Sequence, residues 1–136
     1  MKGHSLLMSF LLRNPDAPEY STNESKYLYV DRCTMPLGVE DNRITAGHMS
    51  ASSFHGSSNS PNYGRLNSVF SWGARRNSHR EYLQVYLGGL AKIKGWATQG
   101  RSNANYWVKT YYVSYSRDGA SFFKYTKNRK TKVRRF

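Results

Sequence analysis

Acidic residues are scarce in this 136-residue chain, with eight Asp and Glu against 21 Lys and Arg and a formal net charge of +13. None lies between residues 42 and 80, and only Glu81 and Asp118 follow. A calcium site needs clustered oxygen ligands, chiefly carboxylates, and the chain does not supply them. Two late acids are also poor material for a carboxylate pair with divided acid and base roles. Cysteine occurs once, at Cys33, so no internal disulfide can form. The four His residues and Cys33 lack any recognised zinc-ligand spacing. There is no nucleophile-elbow motif and no Gly-rich phosphate loop. Neither enzyme chemistry nor a cofactor or metal is expected. No stretch approaches the ~18 consecutive apolar residues of a membrane-spanning helix, and helical spacing of apolar residues is sustained nowhere.

What the chain does have is unevenly placed charge and many aromatics. Residues 1–45 carry five Lys or Arg and six acids, whereas residues 92–136 carry twelve Lys or Arg and Asp118 alone. The C-terminal third is therefore a cation, for which polyanions are natural partners: anionic lipid, sulfated glycan or nucleic acid. A solvated basic tail with no selected partner fits the same composition. Aromatics make up 15% of residues and Tyr dominates them, a composition suited to pleated, half-buried surfaces.

Alternation marks the strands. Over residues 82–87, Leu83, Val85 and Leu87 face one way and Tyr82, Gln84 and Tyr86 the other. Gly88-Gly89 makes a turn, and residues 93–98 read as a further strand. Over residues 107–116, Trp107, Tyr111, Val113 and Tyr115 share a face, and Val108, Thr110, Tyr112 and Ser114 the other. Asp118-Gly119 is the hairpin turn, with Phe122, Phe123 and Tyr125 on the returning strand. Leu83, Val85, Leu87, Trp96, Trp107, Tyr111 and Val113 are expected inside. Short strands at this spacing point to an all-β sandwich. Residues 1–32 read as a largely irregular leader around Pro15 and Pro18, with a short strand possible at 27–30. Residues 126–136, TKNRKTKVRRF, alternate poorly and read as a basic tail.

Five strings occur in order: CTMPLGVEDNRITAGHMSASS at 33–53, RLN at 65–67, EYLQVYLG at 81–88, ATQGR at 97–101 and YWVKTYYVSYSRDGASFFKY at 106–125. Together they resemble the discoidin domain, also called the factor V/VIII C-type domain, over residues 33–125. The resemblance implies a jelly-roll-like β-sandwich in an extracellular, non-enzymatic binding module. It also implies a second Cys and further strands beyond residue 125, so that residues 33–125 read as a partial domain. Cys33 then stands unpaired, or available for an intermolecular disulfide. The leader is short for a signal sequence: Ser9 interrupts its apolar run and no small-x-small site follows. Asn23-Glu24-Ser25 is a glycosylation acceptor if the chain is secreted. Tyr86 stands where the family usually has Asp, and Phe122 where Trp is usual, keeping an aromatic in the core.

The resemblance implies that ligands meet three loops at one end of the sandwich, where a rigid sheet holds variable loops in place. Residues 54–64 give Phe54, His55, Asn59 and Tyr63. Residues 73–80 give Arg75, Arg76, His79 and Arg80, four cations or potential cations in six positions, suited to sulfate, phosphate or carboxylate or simply to a solvated turn. Residues 101–105 give Arg101 and Asn103. Phe54 suits either the core or the loop tip. A polar or proteinaceous ligand is favoured over bilayer insertion, because the first loop has little bulky apolar area. The tail adds Lys124, Lys127, Arg129, Lys130, Lys132, Arg134 and Arg135 as a polyanion-binding set.

Two functions compete. One is an extracellular recognition or adhesion module for cell-surface glycans, matrix protein or anionic phospholipid. The other is a truncated product whose tail holds polyanions non-specifically. Dedicated nucleic-acid recognition fits less well, because the aromatics alternate like core residues and do not intersperse with the basic tail as stacking platforms would.

Overall fold

The alternating Leu and Val of residues 82–87 do what their spacing predicts: Leu83 and Val85 are buried, with Gln84 between them only half-buried. The computed structural model describes residues 5–11, 36–89, 91, 93, 95–127, 130–131 and 134–135, with side chains for those between residues 36 and 126. Its strands are β1 Ser5–Leu11, β2 Met49–Ala51, β3 Leu83–Val85, β4 Thr110–Ser116, β5 Phe123–Lys124, β6 Thr126–Lys127, β7 Lys130–Thr131 and β8 Arg134–Arg135. The other regular elements are short 3-10 turns at Ala46–His48, Ser57–Asn59 and Pro61–Tyr63. The described residues are thus all-β, as expected.

One six-stranded sheet runs β2-β3-β1-β4-β5, with β8 also on β4, and β6 and β7 form a separate pair. β2 and β3 are antiparallel with Met49 opposite Val85, and the ladder continues through Tyr86 N–H to His48 O and Ser52 N–H to Tyr82 O. β1 is parallel to both neighbours and pairs with every residue of β4, from Ser5↔Thr110 to Leu11↔Ser116. Residues 5–11, expected within an irregular leader, are therefore the middle strand. Their apolar run can sit between two strands, where both neighbours satisfy its backbone.

Ile44, Met49, Leu83, Val85, Tyr111 and Val113 form the core, with Leu87, Trp96, Tyr115 and Tyr125 packed against it. The burial in β4 changes phase: Val113 and Ser114 are both buried, and Ser116 is fully so. Both faces of its second half are covered, so small hydroxyl residues occupy a face expected to be open. At the end of β4, Asp118 Oδ1 accepts hydrogen bonds from Ser116 Oγ and from the N–H groups of Ala120 and Ser121 at 2.8–2.9 Å. These bonds hold its carboxyl well below the usual carboxylate range. Gly119 supplies the φ of 76° that the turn needs.

Three expectations are corrected. Residues 93 and 95–98 are not a strand. They attach through side chains: Trp96 Nε1 donates to the Tyr111 hydroxyl, Thr98 Oγ1 lies 3.2 Å from the same oxygen, and Tyr125 meets Trp96 edge-on at 5.5 Å. Trp107 is 40% exposed, because β4 begins only at Thr110 and its alternation does not reach back. Phe122 is 39% exposed, because it precedes the returning strand and lies at the turn. Cys33, Asn23 and the segment 27–30 lie outside the described residues.

Arg65 holds the loop-bearing half together. It is buried, and its guanidinium donates to the carbonyl oxygens of Val39, Ile44 (2.7 Å) and Asn62 (3.0 Å) and to Asn62 Oδ1. The planar fork of five donors makes such multiple capture possible.

Candidate functional site

Three loops meet beside the edge formed by β2. The first, residues 54–64, is two successive 3-10 turns, entered through Gly56 at φ 71° and restarted by Pro61 at the first helical position. Asn59 closes it, donating from Nδ2 to His55 O at 2.7 Å. Gly73 joins the second loop to the first: its N–H donates to Asn59 O and its carbonyl accepts from His55 N–H. A Cβ at Gly73 would lie 3.3 Å from the Asn59 side chain, a tight approach that would make Asn59 shift by a few tenths of an ångström.

The second loop, residues 73–80, is pinned at its start by a hydrogen bond from Arg75 N–H to Ser53 Oγ at 3.0 Å. Buried Glu81 follows it, and its Oε2 accepts from Ser52 Oγ at 2.5 Å and Ser53 Oγ at 2.6 Å. This charge is thereby spent on holding the loop ends. Between those fixed points Arg75, Arg76, His79 and Arg80 are exposed. Among the described residues none of the four makes a side-chain hydrogen bond or ion pair.

The third loop, residues 101–105, is tied down by Arg101. Its Nε donates to Asn103 Oδ1 at 2.6 Å, its Nη1 reaches Asn59 Oδ1 at 3.4 Å, and its guanidinium lies 5.6 Å from the centre of the Phe70 ring. Phe70 in turn meets Tyr63 edge-on at 5.0 Å. The Arg101 N–H donates to Tyr106 O, which brings Tyr106 alongside.

The expected residues thus divide in two. Asn59, Tyr63 and Arg101 are half-buried and build the loop end. Phe54, His55, Asn103 and the second-loop cations are exposed on it. Phe54 is 40% exposed, which fits the loop tip better than the core. Sequence reasoning missed Val69 and Tyr106, each 69% exposed, and the half-buried Phe70. Nothing in the local sequence places Val69-Phe70 with the loops, and only the contact of Arg101 with the Phe70 ring reveals it. Tyr86, at the family's usual Asp position, is 45% exposed and meets His48 edge-on at 5.2 Å, at the far side of β3. Of the tail residues, Lys124 lies with its Nζ 4.2 Å over the Tyr112 ring. The side chains of Lys127, Lys130, Arg134 and Arg135, and all of Arg129 and Lys132, lie outside the described residues. No cluster of three or more His, Cys, Asp or Glu able to hold a metal occurs among the described residues, and none of their helices is long and apolar enough to cross a membrane.

The chain is similar to known proteins over most of its length. The model of the F5/8 type C domain matches residues 47–135. Mouse lactadherin is 35% identical over 112 residues, covering 74% of this chain and 24% of that protein. Mouse coagulation factor V is 35% identical over 105 residues, covering 71% of this chain and 5% of its own length. Human neuropilin-2 is 35% identical over 108 residues, covering 75% of this chain and 12% of its own length. The chain thus spans a quarter or less of these relatives. The domain they share is a β-sandwich that binds and does not catalyse. This chain belongs to the F5/8 type C domain family.

Proposed function

We propose that the chain is an extracellular recognition module whose loop end binds a compact anionic group displayed on a glycan, a matrix protein or a phospholipid headgroup. The observation that carries this reading is the second loop. Arg75, Arg76 and Arg80 are exposed, and no described acid pairs with their guanidinium groups. Both ends of the loop are fixed by Ser53 and Glu81. Fixed ends lower the ordering cost of binding, and free guanidinium groups offer the fork that suits phosphate, sulfate or carboxylate. Exposed Phe54, next to Ser53, and exposed Tyr106, whose carbonyl accepts from Arg101 N–H, add apolar surface to these loops.

Replacing the three arginines together, Arg75→Ala, Arg76→Ala and Arg80→Ala, should weaken binding at least tenfold. The fold should be unaffected, since these side chains make no described contacts. The check is binding of the full chain to phosphatidylserine vesicles, to arrays of short sulfated oligosaccharides and to immobilised matrix proteins. The arm that loses signal identifies the ligand source. Equal binding by the triple variant in every arm where the wild type binds would remove the loop end as the site.

A further inference from the structure

A protease that cuts after arginine needs the guanidinium free to enter a carboxylate-lined pocket and exposed backbone on both sides of the bond. Seven arginines lie between residues 36 and 125, and four of them do not meet this need. Arg65 is buried and bonded to carbonyl oxygens. Arg43 pairs with Asp41 at 2.7 Å, donates to Pro36 O and is followed by buried Ile44. Arg101 is half-buried, with its side chain on Asn103 and its N–H on Tyr106 O. Arg117 precedes Asp118, whose carboxylate closes the turn on the Ala120 and Ser121 N–H groups. The second loop holds the other three. Arg80 precedes buried Glu81, and the Arg80 and Glu81 N–H groups are drawn onto Ser78, at 3.2 Å to Oγ and 3.3 Å to O. Arg75 follows buried Ala74, and its N–H is held by Ser53 Oγ. Arg76 alone of the seven is exposed with exposed residues on both sides, Arg75 and Asn77.

We propose that the Arg76–Asn77 peptide bond is a site of limited cleavage by an arginine-directed endoprotease, and that the cut switches the loop end off. Water adds across the bond. Its oxygen joins the Arg76 carbonyl carbon to give a carboxylate, the C–N bond breaks, and both hydrogens end on the Asn77 nitrogen as an ammonium. Nothing is oxidised or reduced. The two pieces stay joined, because β1 and β2 lie before the cut while β3 and β4, with which they pair, lie after it. Ser52 and Ser53 also keep Glu81 across the cut. The cluster is nevertheless divided: Arg75 and Arg76 remain with Ser53, and Arg80 remains with Glu81. Losing the tether between them raises the ordering cost of binding, and the new carboxylate stands among the guanidinium groups. The effect on binding rests on the loop-end function proposed above, whereas the cleavage does not.

The full chain is digested with an arginine-specific endoprotease, and cutting at the seven arginines is timed by mass spectrometry. Cutting after Arg76 should be at least tenfold faster than after any of the other six. The product cut there, isolated at short times, should run as one species in gel filtration and keep its circular dichroism. It should bind at least tenfold more weakly to whichever of phosphatidylserine vesicles, sulfated oligosaccharides or matrix proteins holds the intact chain. Asn77→Pro keeps every cation but places proline after the bond, so it should resist this cut and keep its binding after protease treatment, with circular dichroism confirming its fold. Faster cutting at another of the seven, or separation of the two pieces, would overturn the cleavage site. Undiminished binding by the cut product would overturn the switch. An intact chain that binds none of the three would remove the loop-end function, and the order of cutting and the joining of the pieces would then decide the cleavage site alone.

Discussion

Replacing Arg65 by Met should destabilise the chain by about 3 kcal/mol, since each buried acceptor left without a donor costs roughly 1–3 kcal/mol. Arg65 is 8% exposed, and its guanidinium reaches carbonyl oxygens in two segments, Val39 and Ile44 in one and Asn62 in the other. Met fills a similar volume but donates nothing, so the apolar stem is kept and the hydrogen bonds alone are removed. Arg65→Lys should recover only part of the loss, because a single ammonium cannot reproduce the fork. Burial already depresses the Arg65 pKa, yet a guanidinium stays protonated, so the penalty should be insensitive to pH between 5 and 8. Domains of this size are stable by only about 5–15 kcal/mol, so the effect should be plain in urea unfolding. A midpoint within experimental error of wild type would mean that water replaces the guanidinium and that Arg65 does not tie these segments together.

The role of Arg65 was only half legible in the sequence. RLN is one of the strings that carry the family resemblance, but nothing in the string says that its Arg points inward. Buried Arg is uncommon, and the three carbonyl partners come from turns whose geometry no local pattern encodes. The core of β3 and β4 was legible for the opposite reason. Leu83, Val85, Tyr111 and Val113 alternate, and alternation is a local consequence of the pleat. It failed at the strand ends. Trp107 is aromatic and in phase, yet β4 starts three residues later, so phase without pairing does not bury it.

The loop end divides along the same line. The cations of the second loop could be named from composition, since exposure is the default for Arg without a partner. The groups that hold the loops together could not: Asn59, Gly73, Phe70 and Glu81 act through contacts that span from 4 residues to about 40. Val69 and Tyr106 were missed because an exposed aromatic or Val in a strand-like string is indistinguishable from a core one until its neighbours are known. The short backbone pairings of the basic segment were not legible either. Its side chains alternate poorly, but strands of two residues need only backbone partners, and β4 offers a free edge.

The strongest departure from the sequence reading is β1, and it gives the most decisive test. Met8 pairs with Leu83 on one side and Val113 on the other. β1 is the strand that joins the β2–β3 ladder to β4. A proline there has no N–H to donate to the ladder, which is why proline is confined to edge strands and bulges. Met8→Pro should therefore lower the urea midpoint sharply and speed hydrogen exchange at the N–H groups of β3 and β4 together, because losing the middle strand uncovers an edge of each. Met8→Val, which suits a strand and donates its N–H, should stay within about 1 kcal/mol of wild type on the β-propensity scale. The pair of substitutions distinguishes a middle strand from a leader. In an irregular leader, Pro at position 8 would leave both the midpoint and the exchange pattern unchanged, and the sheet would have to close between β3 and β4 by other means.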